Sequence, residues 1–279
     1  MYVCPTCKGS LEADSCSTCG FAVEWIGEVP VLFSHSTLSA RYREIGRFYD
    51  GFYLTRENAW QDLAGRGEKF LSYTAALVKG LNPRRYLDIG CGQGFLLEAV
   101  TAHEKFGVDI SRTAIEGAKR RTKAEYCLGI IEELPYPNGY FDVVTGIGVM
   151  EHFLDCPSAL NEISRVLRKG GCFIVLLFLD IPFTERIRIK ASEFIYPHFR
   201  PRDLLHWMLR KYFGISEHQH HKSSQEHIGQ PVQNHYTPRD LKRLFRGSGL
   251  SIRSLITKRL EPNCPLEGHY FRFYILRKG

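Results

Sequence analysis

The sequence predicts an α/β fold: a doubly wound, seven-stranded, mostly parallel sheet with a small N-terminal zinc ribbon and a helical cap insertion. Three observations predict it. The apolar run Tyr86-Leu87-Asp88-Ile89 breaks into Gly90-Cys91-Gly92-Gln93-Gly94 and a helical pattern begins at Phe95, the outline of a strand, a tight turn and a helix. From there to the end, short apolar segments alternate with amphipathic stretches, the pattern of a parallel sheet flanked by helices. The first 33 residues instead hold Cys4-Pro5-Thr6-Cys7 and Cys16-Ser17-Thr18-Cys19, with too little apolar mass for a core of their own.

Taken in order, residues 1–33 form the ribbon, residues 34–80 carry two lid helices, and residues 81–279 hold the main domain with its cap at about 181–233. Two Cys-x-x-Cys knuckles eight residues apart offer four thiolates to one ion in a closed, structural tetrahedral site. A redox Cys-x-x-Cys is the competing reading, and two matched knuckles in a loop-rich segment fit metal better. Cys91, Cys127, Cys156, Cys172 and Cys264 are scattered and read as small buried hydrophobes. Ser36 to Tyr53 places Leu38, Tyr42, Ile45, Phe48, Tyr49, Phe52 and Tyr53 at three- and four-residue spacing, one amphipathic helix, and a second helix spans about Glu68 to Lys79. The strands expected next are Arg85–Ile89, Lys105–Val108, Tyr126–Leu128, Phe141–Gly146, Cys172–Leu179, Leu250–Thr257 and Tyr270–Leu276. Helices are expected at Phe95–Ala102, Thr113–Thr122, Pro157–Leu167 and Pro238–Gly247, the last with Thr237 as N-cap.

The glycine turn is built for a nucleotide-like cofactor, because glycine permits close backbone approach and the following helix directs free N–H groups at a ligand. About 20 residues later Phe106-Gly107-Val108-Asp109 ends a second strand in a carboxylate suited to a ribose diol. A dinucleotide and S-adenosylmethionine both satisfy this much. Residues 87–94, Leu-Asp-Ile-Gly-Cys-Gly-Gln-Gly, are similar to the first motif of the UbiE/UbiG-like class I methyltransferases (methyltransferase type 11). The similarity continues through Glu132-Glu133-Leu134-Pro135 to Phe141-Asp142, through Val149-Met150-Glu151-His152-Phe153, and through Glu162-Ile163-Ser164-Arg165 to Gly171. Four ordered blocks over some 85 residues carry it. Likewise the segment Tyr2 to Phe33, ending Gly27-Glu28-Val29-Pro30-Val31-Leu32-Phe33, resembles Trm112-like zinc ribbons.

The resemblance implies a Rossmann-like fold, S-adenosylmethionine as cofactor and structural Zn2+ in the ribbon. It places Asp88 toward the methionine end of the cofactor, Gly90, Cys91, Gly92 and Gly94 along its backbone path and Asp109 with Ile110 at the ribose. Ile131 or Glu132 would meet the adenine edge, Gly146 and Ile147 would follow the fourth strand, and Arg47-Phe48-Tyr49-Asp50 would form a lid. One departure stands out: where the family usually places an acidic residue for the adenine amino group, this chain has Ile130 and Ile131.

For catalysis the sequence offers His152, after the fourth strand, and His235, beside Tyr236 ahead of the last helix. The expected reaction is methyl transfer to a small-molecule acceptor at a hydroxyl oxygen. An RNA or protein methyltransferase and a non-catalytic cofactor-binding module are the alternatives. Charge is uneven: residues 1–180 hold 19 Lys and Arg against 22 acids, residues 181–279 hold 18 against 8. The basic, aromatic cap therefore suits an anionic or lipid-linked acceptor, and its stripe Leu204, Leu205, Met208, Leu209 and Tyr212 suits either burial or peripheral membrane contact. The ribbon has Lys8 as its only base beside Glu12, Asp14, Glu24 and Glu28, a poor surface for nucleic acid. His218-Gln219-His220-His221 reads as a polar loop. No stretch approaches the 18 apolar residues of a membrane span and Met1-Tyr2-Val3-Cys4-Pro5 lacks the marks of a signal peptide, so a cytoplasmic protein is expected.

Overall fold

Val, Ile, Leu and Phe dominate the segments that become strands, and their burial on both faces is what a parallel sheet covered by helices requires. The computed structural model describes residues 2–33, 40–55, 66–178, 231–232, 234–259 and 270–279. The described parts of Met1–Leu177, Pro231–Leu255 and Phe273–Gly279 form one compact unit, which holds the site. Strands β1 (Leu11–Glu12) and β2 (Ser15–Cys16) make a small hairpin. The central sheet contains β3 (Glu24–Ile26), β4 (Val29–Val31), β5 (Arg85–Ile89), β6 (Glu104–Asp109), β7 (Glu125–Leu128), β8 (Phe141–Ile147), β9 (Leu167–Phe178), β10 (Leu250–Arg259) and β11 (Tyr270–Lys278). Their order is β10-β11-β9-β8-β5-β6-β7-β4-β3.

The pairings β4 with β7, β7 with β6, β6 with β5, β5 with β8 and β8 with β9 are all parallel, with Leu87 opposite Phe106 on one side and Val144 on the other. Among β5–β9 chain order runs outward from β5, through β6 and β7 on one side and β8 and β9 on the other, so the switch point lies between β5 and β8. In such sheets ligands bind at the carboxyl ends of the strands flanking that point. The seven expected strands are all present, and β11 lies between β9 and β10. Two more, β3 and β4, come from the first 33 residues: Val31 pairs with Leu128, and Val29, Pro30 and Val31 are all buried. The ribbon therefore shares the main sheet.

Helices α1 (Ala40–Thr55), α2 (Arg66–Leu81), α3 (Phe95–Ala99), α4 (Arg112–Arg121), α5 (Cys156–Val166) and α6 (Pro238–Gly247) complete the described structure. Three of the starts have a side-chain cap. Ser111 accepts from the Ala114 N–H, Asp155 from the Ser158 N–H, and Thr237 and Asp240 form a reciprocal capping box with Pro238 in the first turn. Helix α5 buries Cys156, Ala159, Leu160, Ile163 and Val166, one helical face. Most boundaries fall within one or two residues of expectation, and two shift further. Helix α3 stops at Ala99 because Val100 turns extended, and β9 starts at Leu167 because its register jumps from Phe141 opposite Leu167 to Val143 opposite Cys172. The intervening Gly170 has φ 73°, a bulge that a reading of regular alternation misses. The expected cap at about 181–233, with its Leu204 to Tyr212 stripe and the His218 to His221 tract, lies outside the described residues apart from 231–232. Among the described residues no helix is long and apolar enough to cross a membrane.

Candidate functional site

The turn after β5 is tight because its three glycines all take left-handed backbone angles: φ is 62° at Gly90, 51° at Gly92 and 78° at Gly94. A Cβ at Gly90 would stand 2.5 Å from Val149 Cγ2, and one at Gly92 would stand 2.9 Å from the Tyr53 hydroxyl oxygen. Beyond the turn lies an open cleft of about 780 Å³ at the carboxyl ends of β5, β6, β7 and β8. Helix α1 walls its other side with Tyr42, Ile45, Tyr49 and Tyr53, one face at spacings of three and four.

Asp109 ends β6 inside the cleft, 8% exposed. Its Oδ2 accepts from the Gly92 N–H at 2.8 Å and its Oδ1 from the Ser111 N–H at 2.9 Å, which aims the remaining lone pairs into the cavity. Burial pushes its carboxyl up to about 6 despite those backbone donors. Glu132 also lines the cleft, its carboxyl raised by burial; its Oε1 accepts from the N–H groups of Leu154 (3.0 Å) and Asp155 (3.3 Å), and the carboxylate also takes the Tyr42 hydroxyl. His152 stands in the short helical turn Met150–His152, its ring edge-on to Tyr49 with centroids 6.2 Å apart. Its Nδ1 donates to the Val232 carbonyl at 2.7 Å, which requires the proton on Nδ1. No lysine or arginine is among the described residues that line the cleft. Carboxylates without basic side chains suit a cationic ligand better than a second anion.

Of the expected site residues the structure brings Tyr49, Gly90, Asp109, Ile110, Ile131, Glu132, Ile147 and His152 together in this cleft. Others stand elsewhere. Asp88 is buried beneath the turn, accepting from Thr145 Oγ1 at 2.6 Å, and burial pushes its carboxyl up to about 7; it is a support of the turn and does not line the cleft. Cys91 packs inward beside Gly107, Gly94 starts α3 against Ala118, and Gly146 lies under Val149. Gly92 is covered by Tyr53. His235 is exposed and absent from the cleft wall, because its neighbours Asn234 and Tyr236 anchor the segment to the carbonyls of Phe153 (2.7 Å) and Met150 (3.2 Å) and turn it outward. Tyr42, Ile45 and Tyr53, which the sequence places on the apolar face of one helix, line the cavity as well. Val149 and Phe153, which flank His152 in the family-like block, also line it.

In the ribbon, the Sγ atoms of Cys4, Cys7, Cys16 and Cys19 all lie within 4.8 Å of one another. Zinc–sulfur bonds of about 2.3 Å put tetrahedral thiolates roughly 3.8 Å apart, so the four thiols fit one ion with small adjustments. The N–H of Cys19, with that of Thr18, is aimed at Cys16 and draws its thiol down to about 6, while the crowding of the neighbouring thiols pushes Cys19 up to about 12. Lys8, between the knuckles, bonds Glu162 of α5 at 2.7 Å.

Comparison with known proteins agrees with this geometry. Residues 87–175 match the family described as methyltransferase domain. A demethylmenaquinone methyltransferase of Symbiobacterium thermophilum is 32% identical over 199 residues, 67% of this chain and 76% of the relative. A ubiquinone biosynthesis O-methyltransferase of Alkalilimnicola ehrlichii is 31% identical over 133 residues, 45% of this chain and 54% of the relative, so the chain spans about half of that protein. Among solved structures, the complex between the Haloferax volcanii Trm112 methyltransferase activator and a methyltransferase shares the fold at a TM-score of 0.57 and 16% identity, covering 82% of this chain and 96% of that one.

Proposed function

The chain belongs to the S-adenosylmethionine-dependent methyltransferase family, and from that premise we propose that it methylates a hydroxyl oxygen of a small-molecule acceptor. The observation that carries the reading is the cleft itself: a buried carboxylate at the end of β6, a left-handed glycine turn beside it, and no lysine or arginine among the described residues of its wall. When bound, S-adenosylmethionine supplies a methyl group on a sulfonium that is already a good leaving group.

The chain's own residues then have four tasks. Asp109 would accept the ribose hydroxyls. The turn at Gly90 would admit the methionine portion against backbone, with Asp88 and Thr145 bracing it from below. Ile130 and Ile131 would sandwich adenine and leave its edge to backbone groups, since Glu132 is committed to Tyr42, Leu154 and Asp155. His152 Nε2 would take the acceptor's proton as the oxygen attacks, a base or orienting role whose tautomer the Val232 carbonyl sets. Zn2+ held by Cys4, Cys7, Cys16 and Cys19 would be structural, with all four positions filled by protein.

Support for oxygen as the accepting atom comes from the O-methyltransferase relative and from His152, because a hydroxyl must lose its proton on methylation. The basic C-terminal third favours an anionic or lipid-linked acceptor. An RNA acceptor draws no support from the ribbon, whose one lysine is paired with Glu162. Incubating the protein with methyl-labelled cofactor and a panel of hydroxylated aromatic, quinol and phosphorylated acceptors tests the proposal. Label in an extracted small molecule supports it, and label only in RNA or protein overturns it.

A further inference from the structure

Helix α1 is tied to the ribose side of the cleft by one carboxylate that the methyl-transfer chemistry does not use. Asp50, near the C-terminal end of α1, accepts at Oδ1 from the Ser111 hydroxyl at 2.7 Å and from the Thr113 N–H at 3.0 Å. Both donors belong to the start of α4, where free N–H groups and the helix dipole favour an anion. Ser111 in turn donates its own N–H to Asp109 at 2.9 Å, and Asp109 accepts from Gly92 at 2.8 Å. Tyr53, one turn along α1 from Asp50, then lies over Gly92 at the distance where a Cβ would meet its hydroxyl. Contacts therefore run in a closed ring from α1 through Ser111, Asp109 and Gly92 and back to α1. At the other end of the helix, Tyr42 donates to Glu132.

We propose that Asp50 is a positioning residue that clasps α1 across the cleft and so sets how long the cofactor stays bound. The identity of that cofactor rests on the methyltransferase reading, while the clasp rests on the hydrogen bonds above. A ligand lying on Asp109 and beneath Tyr49 and Tyr53 cannot leave along that wall until α1 lifts, and α1 cannot lift without breaking two hydrogen bonds to one carboxylate oxygen. Asp50 touches neither acceptor nor reacting atoms. Its loss should shorten residence and raise the KM for the cofactor more than it lowers kcat.

The experiment compares Asp50→Ala and Asp50→Asn with the unaltered full chain, each first shown to be folded by circular dichroism. Amide hydrogen exchange over residues 40–55 is measured without ligand, and S-adenosylmethionine dissociation is measured by competitive displacement. Losing two hydrogen bonds to a carboxylate predicts exchange and dissociation each faster by about tenfold in Asp50→Ala. Asp50→Asn keeps an acceptor at Oδ1 and should recover most of both. Unchanged exchange in Asp50→Ala overturns the clasp. Faster exchange with unchanged dissociation overturns its role in retention. Failure of the unaltered protein to bind S-adenosylmethionine overturns the methyltransferase reading and the retention role with it, and the exchange measurement still decides the clasp.

Discussion

Replacing Asp109 by Ala is the sharpest single perturbation of the cofactor site. The side chain is 8% exposed, each oxygen accepts one backbone N–H, and the lone pairs left over face the cleft. A hydrogen bond to a charged group contributes about 1.5–3 kcal/mol, so losing the ribose contacts should weaken S-adenosylmethionine binding by roughly 10- to 150-fold. The unaltered protein carries its own control in pH. Burial holds the Asp109 carboxyl up at about 6, and the ionised form is the better partner for a cationic ligand and two hydroxyl donors. Affinity should therefore fall as pH drops from 7.5 to 5, by about one decade below the folded pKa, and the Ala variant should lose that dependence. Calorimetric titration across this range reads both effects. An affinity unchanged in Asp109→Ala, or an identical pH slope in both proteins, would refute the ribose assignment.

The remaining predictions address the base, the metal and the buried acids. His152→Ala should lower kcat by about 10²- to 10⁴-fold, the usual contribution of a positioned base, with cofactor affinity held; equal losses in both would mark a structural role. Cys16→Ser should strip zinc from the ribbon and lower the melting temperature of the whole unit, since β4 pairs with β7 in the main sheet; full metal content in this variant would disprove the four-thiolate site. Asp88 and Asp109 are raised from 3.8 to about 7 and about 6, so between about pH 4 and 7 the folded state binds more protons than the unfolded chain. Stability of the ligand-free protein contributed by these two groups is thus fully present below the unfolded pKa and lost as pH rises through the folded values; a Tm series from pH 5 to 8 that rises instead in Asp88→Asn and the unaltered protein alike would contradict it.

Much of the fold was legible because its signals are local. The glycines at 90, 92 and 94 each need a left-handed angle, and Thr237-Pro238 with Asp240 marks α6 to the residue. Periodicity alone could not show that Val29-Pro30-Val31 would extend the sheet, because a three-residue strand gains its identity only from its partner Leu128. At the site, Asp109 and His152 stood out by position after strands. Asp88 did not declare itself a support, since its burial comes from packing across β5 and β8 that no spacing reveals. His235 looked like an acceptor-facing base, yet its orientation follows from the hydrogen bonds of Asn234 and Tyr236. Asp50 looked like part of a lid motif; only the fold brings it within 2.7 Å of Ser111, 61 residues away in sequence.

The most direct test of the central claim is calorimetric titration of the purified chain with S-adenosylmethionine and, separately, with NADH. A cleft whose described wall holds Asp109 and Glu132 and no lysine or arginine predicts saturable binding of the first and none of the second. Binding of NADH, or of neither, would contradict it.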